Sequence, residues 1–325
     1  MLNKKLSESN ILVTGGAGFI GANFVKMICL QKHCKKVYVI DSLSYAADLR
    51  RLDEVMSEIE FIKADLNEFG LYSNLLPNID FVINFAAHTH VDRSIDNGFE
   101  FIQSNILGSY VLFEACRGHS KIKLIHISTD EVYGSLPKGE ASEGATLNPS
   151  SIYSASKTSS DLLAFANYIT HKQPVVITRC TNNFGPYQNS EKFIPTIINN
   201  LLLDKKVPIY GTGLNSREWI HVSDHNSAIL SIMNHYQSGN VFNIGSRERI
   251  SNYDLALKIT KMLQKSTDLL EFVEDRKGHD FRYALDSSRI EFLIGWAPKI
   301  SFDEGLKETV QWYKNWYDIN KEVYK

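Results

Sequence analysis

The sequence predicts an α/β fold, in which a doubly wound parallel sheet is joined to a smaller mixed α/β domain. Three observations predict it: a glycine-rich turn after the first apolar strand, short apolar strands that alternate with helical segments, and a length of 325 residues. Alternating strands and helices favour a parallel sheet covered on both faces. A chain of this length can bury one large domain and a second, smaller one.

The first predicted element is a short buried strand at 11–13, followed by the turn TGGAGFIG and a segment with helical spacing. Gly15, Gly18 and Gly21 recur at intervals of three residues in this turn. Glycines let the backbone bend sharply and approach a pyrophosphate, which then lies at the positive end of the helix. The pattern is typical of a Rossmann-type dinucleotide-binding fold.

The second predicted strand, KVYVID, ends at Asp41, twenty residues after Gly21. A carboxylate at this place can accept hydrogen bonds from the adenosine ribose of NAD, and it repels the extra phosphate of NADP. Considered alone, Asp41 could equally be a turn residue at a strand end. With the glycines before it, we predict NAD as the cofactor.

The later strands are predicted at 60–66, 81–88, 122–129 and 174–180, with helical segments such as 99–117 between them. Ligands of such sheets bind at the carboxyl ends of the strands. The stretch STDEVYG follows the fifth strand. We therefore expect the adjacent carboxylates Asp130 and Glu131 to face a ligand cleft, whereas considered alone they would suggest a solvated turn.

Tyr153 and Lys157 in YSASK are four residues apart and so share one face of a helix. A nearby ammonium and a nicotinamide charge favour the phenolate, which can remove a proton from a substrate hydroxyl while hydride leaves the attached carbon. The spacing occurs by chance in many helices. It becomes informative because it follows the glycine motif and Thr129.

Composition excludes several classes of protein. Apolar residues make up 43% of the chain, charged residues 22%, and the formal net charge is −2, which gives no reason to expect nucleic acid or a membrane surface as a partner. Cys29, Cys34, Cys116 and Cys180 have neither the spacing of a zinc site nor that of a disulfide framework. We expect free thiols, no metal and a cytoplasmic location.

Together the glycine motif, Thr129 and YSASK resemble the short-chain dehydrogenase/reductase superfamily, extended type. The motifs GGAGFIG, AAHTHVDRS, STDEVYG, YSASK, NNFGPYQNSEKFIP, SREWIHVSDH and DRKGHDFRY occur in that order over about 10–313. In this order they resemble the nucleoside-diphosphate-sugar 4,6-dehydratases, above all the enzymes that act on dTDP-glucose. The resemblance implies NAD-dependent conversion of a dTDP-hexose to its 4-keto-6-deoxy form and water.

The resemblance also implies residue roles. Tyr153, Lys157 and Thr129 would serve oxidation at carbon 4, Glu131 would remove the carbon 5 proton, and Asp130 would protonate the leaving 6-hydroxyl. Residues matched to the family's cofactor site are Gly15, Gly18, Phe19, Ile20, Gly21, Asp41, Leu43, Ser44, Asp65, Leu66, Ala86, Ala87, Thr89, Ser104, Tyr153, Lys157 and Asn183. Residues matched to its substrate site are His88, Thr89, Thr129, Asn182, Lys192, Phe193, Pro208, Tyr210, Arg217, Asn252, Arg276, His279 and Tyr283.

Several alternatives remain open at this point. His88 and Phe281 stand where the dTDP-glucose enzymes commonly have glutamate and arginine, so UDP-glucose or UDP-N-acetylglucosamine could be the substrate instead. A 4-epimerase would need Tyr153 and Lys157 but no acid–base pair, and a noncatalytic NAD or sugar-nucleotide sensor would have no need for all four of Tyr153, Lys157, Asp130 and Glu131.

The resemblance further implies how the chain is organised. A cofactor domain is expected over 1–179 with about 217–245, and a sugar-nucleotide domain over 180–216 and 246–325. A homodimer is expected through helices near 99–117 and 151–171.

Overall fold

The structure, a computed structural model, describes residues 5–275 and 278–319. Its strands are β1 (Asn10–Thr14), β2 (Lys36–Asp41), β3 (Ile59–Lys63), β4 (Phe81–Asn84), β5 (Lys123–Thr129), β6 (Val175–Cys180), β7 (Asn182–Phe184), β8 (Val207–Tyr210), β9 (Ser216–His221), β10 (Val241–Ile244), β11 (Arg249–Ser251) and β12 (Leu270–Val273). Its α-helices are α1 (Phe19–Leu30), α2 (Val91–Asp96), α3 (Gly98–Phe101), α4 (Ser109–Arg117), α5 (Ile152–His171), α6 (Phe193–Leu202), α7 (Val222–Asn234), α8 (Asn252–Met262), α9 (Ser288–Ile294) and α10 (Phe302–Ile319). A π-helix spans Ile102–Gly108, and 3-10 turns span Leu6–Glu8, Leu49–Glu58, Phe69–Leu71, Ser73–Asn78, Asp130–Tyr133 and Thr267–Leu269.

The largest sheet in the described part of the chain has seven parallel strands in the order β10–β6–β5–β4–β1–β2–β3. The chain moves outward in one direction from β1 to β3 and in the other direction from β4. A crevice opens between β1 and β4 because the connections on either side leave toward opposite edges. The predicted doubly wound parallel sheet is confirmed.

Two of the predicted strands end earlier than the sequence suggested. The third ends at Lys63 and the fourth at Asn84, so Asp65, Leu66 and the segment 86–88 lie in loops beyond the sheet. The fourth strand parts from β1 because β1 itself turns away at Gly15. The residues after each strand are thereby free to line the crevice.

Strand alternation distributes the core over both faces of this sheet. In β1, Ile11 and Val13 join a cluster with Phe24 and Val25 of α1, whereas Leu12 joins a cluster with Phe113 on the other face. All of these side chains are fully buried. This explains why the strands are short and continuously apolar.

A third apolar cluster lies outside the large sheet. It joins α6, α8 and α10 to strands of two smaller sheets, which have the orders β11–β9–β7 and β12–β8. Trp312 and Trp316 of α10, whose spacing of four residues is that of one helical turn, stack at a centroid distance of 5.3 Å. The C-terminal helix is packed onto this part of the fold.

The segment predicted as one helix over 99–117 is interrupted by the π-helix. There the side chain of Asn105 turns inward and bonds the backbone of His88 through both its oxygen, at 2.8 Å, and its nitrogen, at 3.0 Å. Its nitrogen also donates to Ser156 Oγ at 2.9 Å. The irregular turn is thus tied to the loop after β4, which the helical periodicity alone did not indicate.

Across residues 5–275 and 278–319, we find no helix with the length and apolarity that a bilayer span requires.

Candidate active site

A single cleft at the carboxyl ends of the large sheet brings the predicted residues together. Its cavity has a volume of about 480 Å³. The predicted residues that line it are Gly15, Gly18, Phe19, Ile20, Gly21, Asp41, Ser44, Asp65, Leu66, Ala86, Ala87, His88, Thr89, Ser104, Thr129, Glu131, Tyr153, Lys157, Asn182, Asn183, Lys192, Phe193, Pro208, Tyr210, Arg217, Asn252 and His279. Residues from both ends of the chain therefore converge on one crevice.

Three predicted site residues lie behind the wall of this cavity, and a fourth falls outside the described residues. Leu43 turns its side chain into the core, Asp130 is 2% exposed, and Tyr283 packs under Arg217. Each contacts a residue that lines the cleft, so each can act on a ligand only through that neighbour or after a small movement. Arg276 is the one outside the described residues.

The glycine turn is a cradle in which side chains do not fit. Gly15 has a φ of +66°, and a Cβ placed there would lie 2.7 Å from the backbone nitrogen of Ala86. A Cβ on Gly21 would lie 2.3 Å from Gly15 O. The close packing of the turn leads directly into α1, whose first residues line the cavity. The N–H groups of a helix N-terminus are therefore available to a ligand there.

Asp41 is held firmly at the end of β2. Its two carboxylate oxygens accept hydrogen bonds from Ala17 N at 2.9 Å and from Leu43 N at 2.8 Å. Burial raises the pKa of Asp41, and these N–H groups act against that rise. Leu43 adopts a φ of +56°, so its backbone N–H is used to orient Asp41 while its side chain is directed away from the cleft.

The tyrosine and lysine are placed by the first turns of α5. Ser151 caps the helix through a reciprocal pair of bonds with Ser154, so Tyr153 and Lys157 lie on the inward face of its first turns. Lys157 Nζ donates to Ile127 O at 2.7 Å, which ties the helix to β5.

The pKa values of this pair differ from what the sequence suggested. Burial lowers the pKa of Lys157 to about 8, while the charge of Asp161 acts in the opposite direction. The pKa of Tyr153 is raised well above its usual value, chiefly by burial and then by the charge of Glu131, and Thr129 opposes the rise. The expected preference for phenolate is therefore not present in the protein alone, because Tyr153 is buried near carboxylates.

The adjacent carboxylates have different environments. They begin a 3-10 turn capped by Thr129, whose Oγ1 accepts from Glu131 N at 3.3 Å and donates to Asp130 Oδ1 at 3.1 Å. Asp130 is buried, and its pKa is raised well above the usual value by burial and by the charges of Glu131 and Glu218. Glu131 lines the cavity. A buried carboxyl that holds its proton more firmly than usual thus lies next to another that faces the ligand space, which is an arrangement suited to paired acid and base catalysis.

Cationic side chains also line the cleft. Lys192 Nζ donates to Thr89 O at 2.7 Å, so it bridges the two walls. The guanidinium of Arg217 donates to Asp280 O at 2.8 Å and lies 4.5 Å from the ring centre of Tyr283. Tyr283 therefore orients Arg217 rather than lining the cavity itself.

His88 both packs and lines the cleft. Its ring makes edge contacts with Tyr45 at 5.4 Å and with Phe101 at 5.6 Å, and Phe101 in turn contacts Tyr153 at 6.3 Å between centroids. Burial lowers the pKa of His88, so a neutral imidazole faces the ligand space.

Some residues of the site were missed by the sequence analysis. Trp219 and Gln188 also line the cavity. Trp219 could have been found, because it lies two residues after Arg217 on β9 and therefore points to the same side of the strand. Asp161 and Arg179 form a buried ion pair behind Lys157, with Nε to Oδ2 at 2.9 Å; a charged residue inside the strand VVITRC was the available signal for Arg179.

Comparison with known proteins identifies similar chains. A family model described as GDP-mannose 4,6 dehydratase matches residues 12–309. A dTDP-glucose 4,6-dehydratase of Streptomyces niveus is 42% identical over 311 residues, covering 94% of this chain and 93% of the relative.

Two solved structures are also similar. The dTDP-glucose 4,6-dehydratase of Streptomyces venezuelae, solved with NAD bound, is 39% identical with a TM-score of 0.93, covering 95% of this chain and 98% of that one. The dTDP-glucose 4,6-dehydratase of Bacillus anthracis, in complex with NAD, is 40% identical with a TM-score of 0.88, covering 94% and 97%. On this likeness, which extends over nearly the whole chain, the protein belongs to the nucleotide-sugar 4,6-dehydratase family, whose model is described as GDP-mannose 4,6 dehydratase.

Proposed function

We propose that the protein is an NAD-dependent dTDP-glucose 4,6-dehydratase, a hydro-lyase that forms dTDP-4-keto-6-deoxyglucose and water. The observation that carries the proposal is the buried Asp130, whose pKa is raised well above its usual value, next to Glu131, which faces the same cleft as Tyr153. Oxidation and reduction alone need no such pair, whereas loss of water needs an acid and a base together. The similar dTDP-glucose 4,6-dehydratases support this choice.

The residues of the glycine turn and of the strand ends fit NAD. The cradle at Gly15 and Gly21 accepts backbone-close phosphates, and Asp41 is oriented to accept hydrogen bonds from a ribose. Asn183 Oδ1 is buried without a hydrogen-bond partner among the described residues, which leaves an acceptor available beside the cleft. When bound, NAD supplies a hydride acceptor for carbon 4 and a hydride donor for carbon 6.

The chain's own residues move the protons. Tyr153 takes the proton of the 4-hydroxyl as that carbon is oxidised, and the positive charge that a bound nicotinamide would bring to the cleft would offset the raised pKa of Tyr153. When substrate is bound, Thr129 turns its hydroxyl hydrogen from Asp130 Oδ1 to the 4-oxygen. Lys157, with a pKa of about 8, is protonated at neutral pH and stabilises the phenolate.

Elimination follows because the 4-ketone acidifies the hydrogen on carbon 5. Glu131 removes that proton, and Asp130 gives its proton to the departing 6-hydroxyl, which leaves as water. Glu131 then returns its proton to carbon 5 as hydride reaches carbon 6. The enzyme is reset when a proton equivalent to the one gained by Tyr153 returns to Asp130.

We further propose that the sugar nucleotide is bound by the second part of the chain, 180–216 with 246–325, over the cofactor domain formed by 1–179 and about 217–245. Lys192 of this part, and Arg217 at the border of the cofactor domain, carry the charges that a diphosphate needs, and Arg217 is already oriented by Tyr283 of the second part. Further candidates for contact with the sugar nucleotide are His88, Asn182, Phe193, Pro208, Tyr210, Asn252 and His279, which line the cavity.

We also propose a homodimer, because the family resemblance implies one and because apolar side chains are exposed on the helices concerned. Apolar side chains between 44% and 69% exposed lie on α5 and on the segment 98–117; they are Phe99, Ile102, Leu107, Tyr110, Ile152, Leu162, Phe165 and Ile169. An exposed apolar patch on two neighbouring helices is typical of a protein interface. The four free cysteines fit a cytoplasmic location, which we also propose.

Incubation with dTDP-glucose, UDP-glucose and UDP-N-acetylglucosamine tests the proposed function. We expect dTDP-glucose to lose the mass of one water molecule and to give the alkali-induced absorbance of a 4-keto sugar. Signal with a UDP sugar but not with dTDP-glucose would replace the proposed substrate. Epimerisation without loss of water would overturn the reaction type.

A further inference from the structure

Asp161 is a buried carboxylate that the proposed reaction does not use. It lies one helical turn after Lys157 on the same face of α5 and is 1% exposed. One of its oxygens accepts from Arg179 Nε at 2.9 Å, and the other lies 3.7 Å from His126 Nε2. A carboxylate is costly to bury, so its place directly behind a catalytic lysine calls for a physical reason.

The remaining titratable groups that face Lys157 and Asp161 come from four elements. They are His126 on β5, Tyr133 in the turn after β5, Arg179 and Cys180 on β6, and Tyr153 on α5 itself.

Most of these groups are neutral at physiological pH. Burial raises the pKa of Cys180 to about 12 and also raises the pKa of Tyr133. Burial and the charge of Lys157 lower the pKa of His126 well below its usual value. His126 Nε2 also forms a hydrogen bond with Ser160 Oγ at 3.0 Å, and a neutral imidazole can make this bond.

The charges that remain beside Lys157 are the cation Arg179 and the anion Asp161, while the charge of Glu131 acts on Tyr153. A phenolate at Tyr153 adds a further anion near Glu131, so it needs Lys157 to remain a cation. If Asp161 were uncharged, Lys157 would lose the opposite charge one helical turn away on α5, and it would lose its proton more readily.

We infer that Asp161 is a positioning residue that keeps Lys157 protonated in its buried place and thereby allows Tyr153 to form phenolate. The inference rests on the proposed function for the use of Lys157 and Tyr153. It does not depend on which sugar nucleotide is the substrate. Arg179 holds Asp161 in place, since its guanidinium bonds both Asp161 and, at 2.8 Å, Tyr133 Oη.

The test is the pH dependence of Asp161→Asn. Asparagine keeps an oxygen that can accept from Arg179 Nε but removes the negative charge. The fluorescence of NADH measures its binding to the protein. In wild type we expect this binding to weaken, and turnover to slow, as pH rises through the Lys157 pKa of about 8. In Asp161→Asn the same limb should move about 1 to 3 pH units lower, the usual effect of an adjacent opposite charge.

Two control variants separate charge from structure. Tyr133→Phe removes a hydrogen bond to the same guanidinium but no charge, and it should leave the alkaline limb at its wild-type pH. Asp161→Glu retains the charge and should restore the limb toward that of wild type, even where its overall rate is lower.

Asp161→Asn leaves Arg179 buried without its anion and could fail to fold. In that case the double variant Asp161→Asn/Arg179→Met removes both charges, and it should still show an alkaline limb below that of wild type. The reason is that the charge of Asp161 acts on the pKa of Lys157, whereas Arg179 is not among the groups that shift it.

An alkaline limb that is not shifted in Asp161→Asn, or in the double variant where Asp161→Asn does not fold, would overturn the inference. An equal shift in Tyr133→Phe would also overturn it. The measurement of NADH binding needs no turnover, so it tests Asp161 independently of the proposed function. If the protein were inactive on every sugar nucleotide but the binding limb were still shifted, the proposed function would be rejected and the role of Asp161 would stand.

Discussion

Asp130→Asn should separate the two halves of the proposed reaction. Asp130 is 2% exposed and bonded to Thr129 Oγ1 at 3.1 Å. Its raised pKa makes it a neutral acid, so asparagine matches it in size and charge and still accepts that bond. Asp130 Oδ2 has no hydrogen-bond partner among the described residues, so the substitution breaks no contact there and should cost little stability.

The expected effect falls on elimination alone. A positioned general acid contributes about 10² to 10⁴ in rate, which is about 3 to 5 kcal/mol of barrier. Oxidation at carbon 4 depends on Tyr153 and Lys157 and should remain within about tenfold of wild type. Because the first step proceeds and the second does not, NADH should accumulate on the enzyme.

A single-turnover experiment in a stopped-flow instrument measures both steps. The absorbance of NADH reports oxidation, and quenched samples weighed by mass spectrometry report water loss. Glu131→Gln should also accumulate NADH, whereas Tyr153→Phe should form none. If Asp130→Asn loses water at close to the wild-type rate, or loses oxidation and elimination equally while it remains folded, the role assigned to Asp130 is wrong.

Three further changes test other parts of the structure. Asp41→Ser should weaken NAD binding by about tenfold or more and reduce discrimination against NADP, measured by calorimetry with both cofactors, because it removes the charged ribose acceptor; unchanged preference would contradict that role. Gly15→Ala should lower the free energy of unfolding by about 2 kcal/mol or more and lower the melting temperature, since its Cβ meets backbone at 2.7 Å; Gly139→Ala, also at positive φ but with open space around it, should cost less. Phe165→Glu should convert the dimer to monomers in light scattering, because it places a charge in the proposed interface; Phe292→Glu, 88% exposed on α9, should stay dimeric, and a dimer in both variants would place the interface elsewhere.

The sequence predicted the sheet well because its strands carry local signals. The short apolar runs, the glycine turn and Asp41 each report on a few neighbouring residues, and the structure gives β1, the turn and β2 where these signals lie. The capped start of α5 is equally local, since Ser151 and Ser154 are close in the chain. Tyr153 was therefore placed correctly from five letters of sequence.

Features that depend on distant contacts could not be predicted in this way. The π-helix within 98–117 exists where Asn105 bonds the loop at His88, and no periodicity in the segment records that contact. Likewise, the burial of Asp130 depends on how the turn after β5 packs against the second part of the fold. Sequence alone therefore identified Asp130 and Glu131 as a pair but could not say that only Glu131 lines the cavity.

The protein contains two buried aspartates near the same tyrosine, and their neighbours give them opposite tasks. Asp130 lies near the negative charges of Glu131 and Glu218, which add to the effect of burial and keep its proton in place. Burial also raises the pKa of Asp161, but the positive charges of Arg179 and Lys157 act against that rise and favour the carboxylate. The same residue type can then supply a proton in one place and a counter-charge in the other. Neutralising each residue should therefore affect a different step: Asp130→Asn should slow elimination, and Asp161→Asn should weaken oxidation as the pH rises.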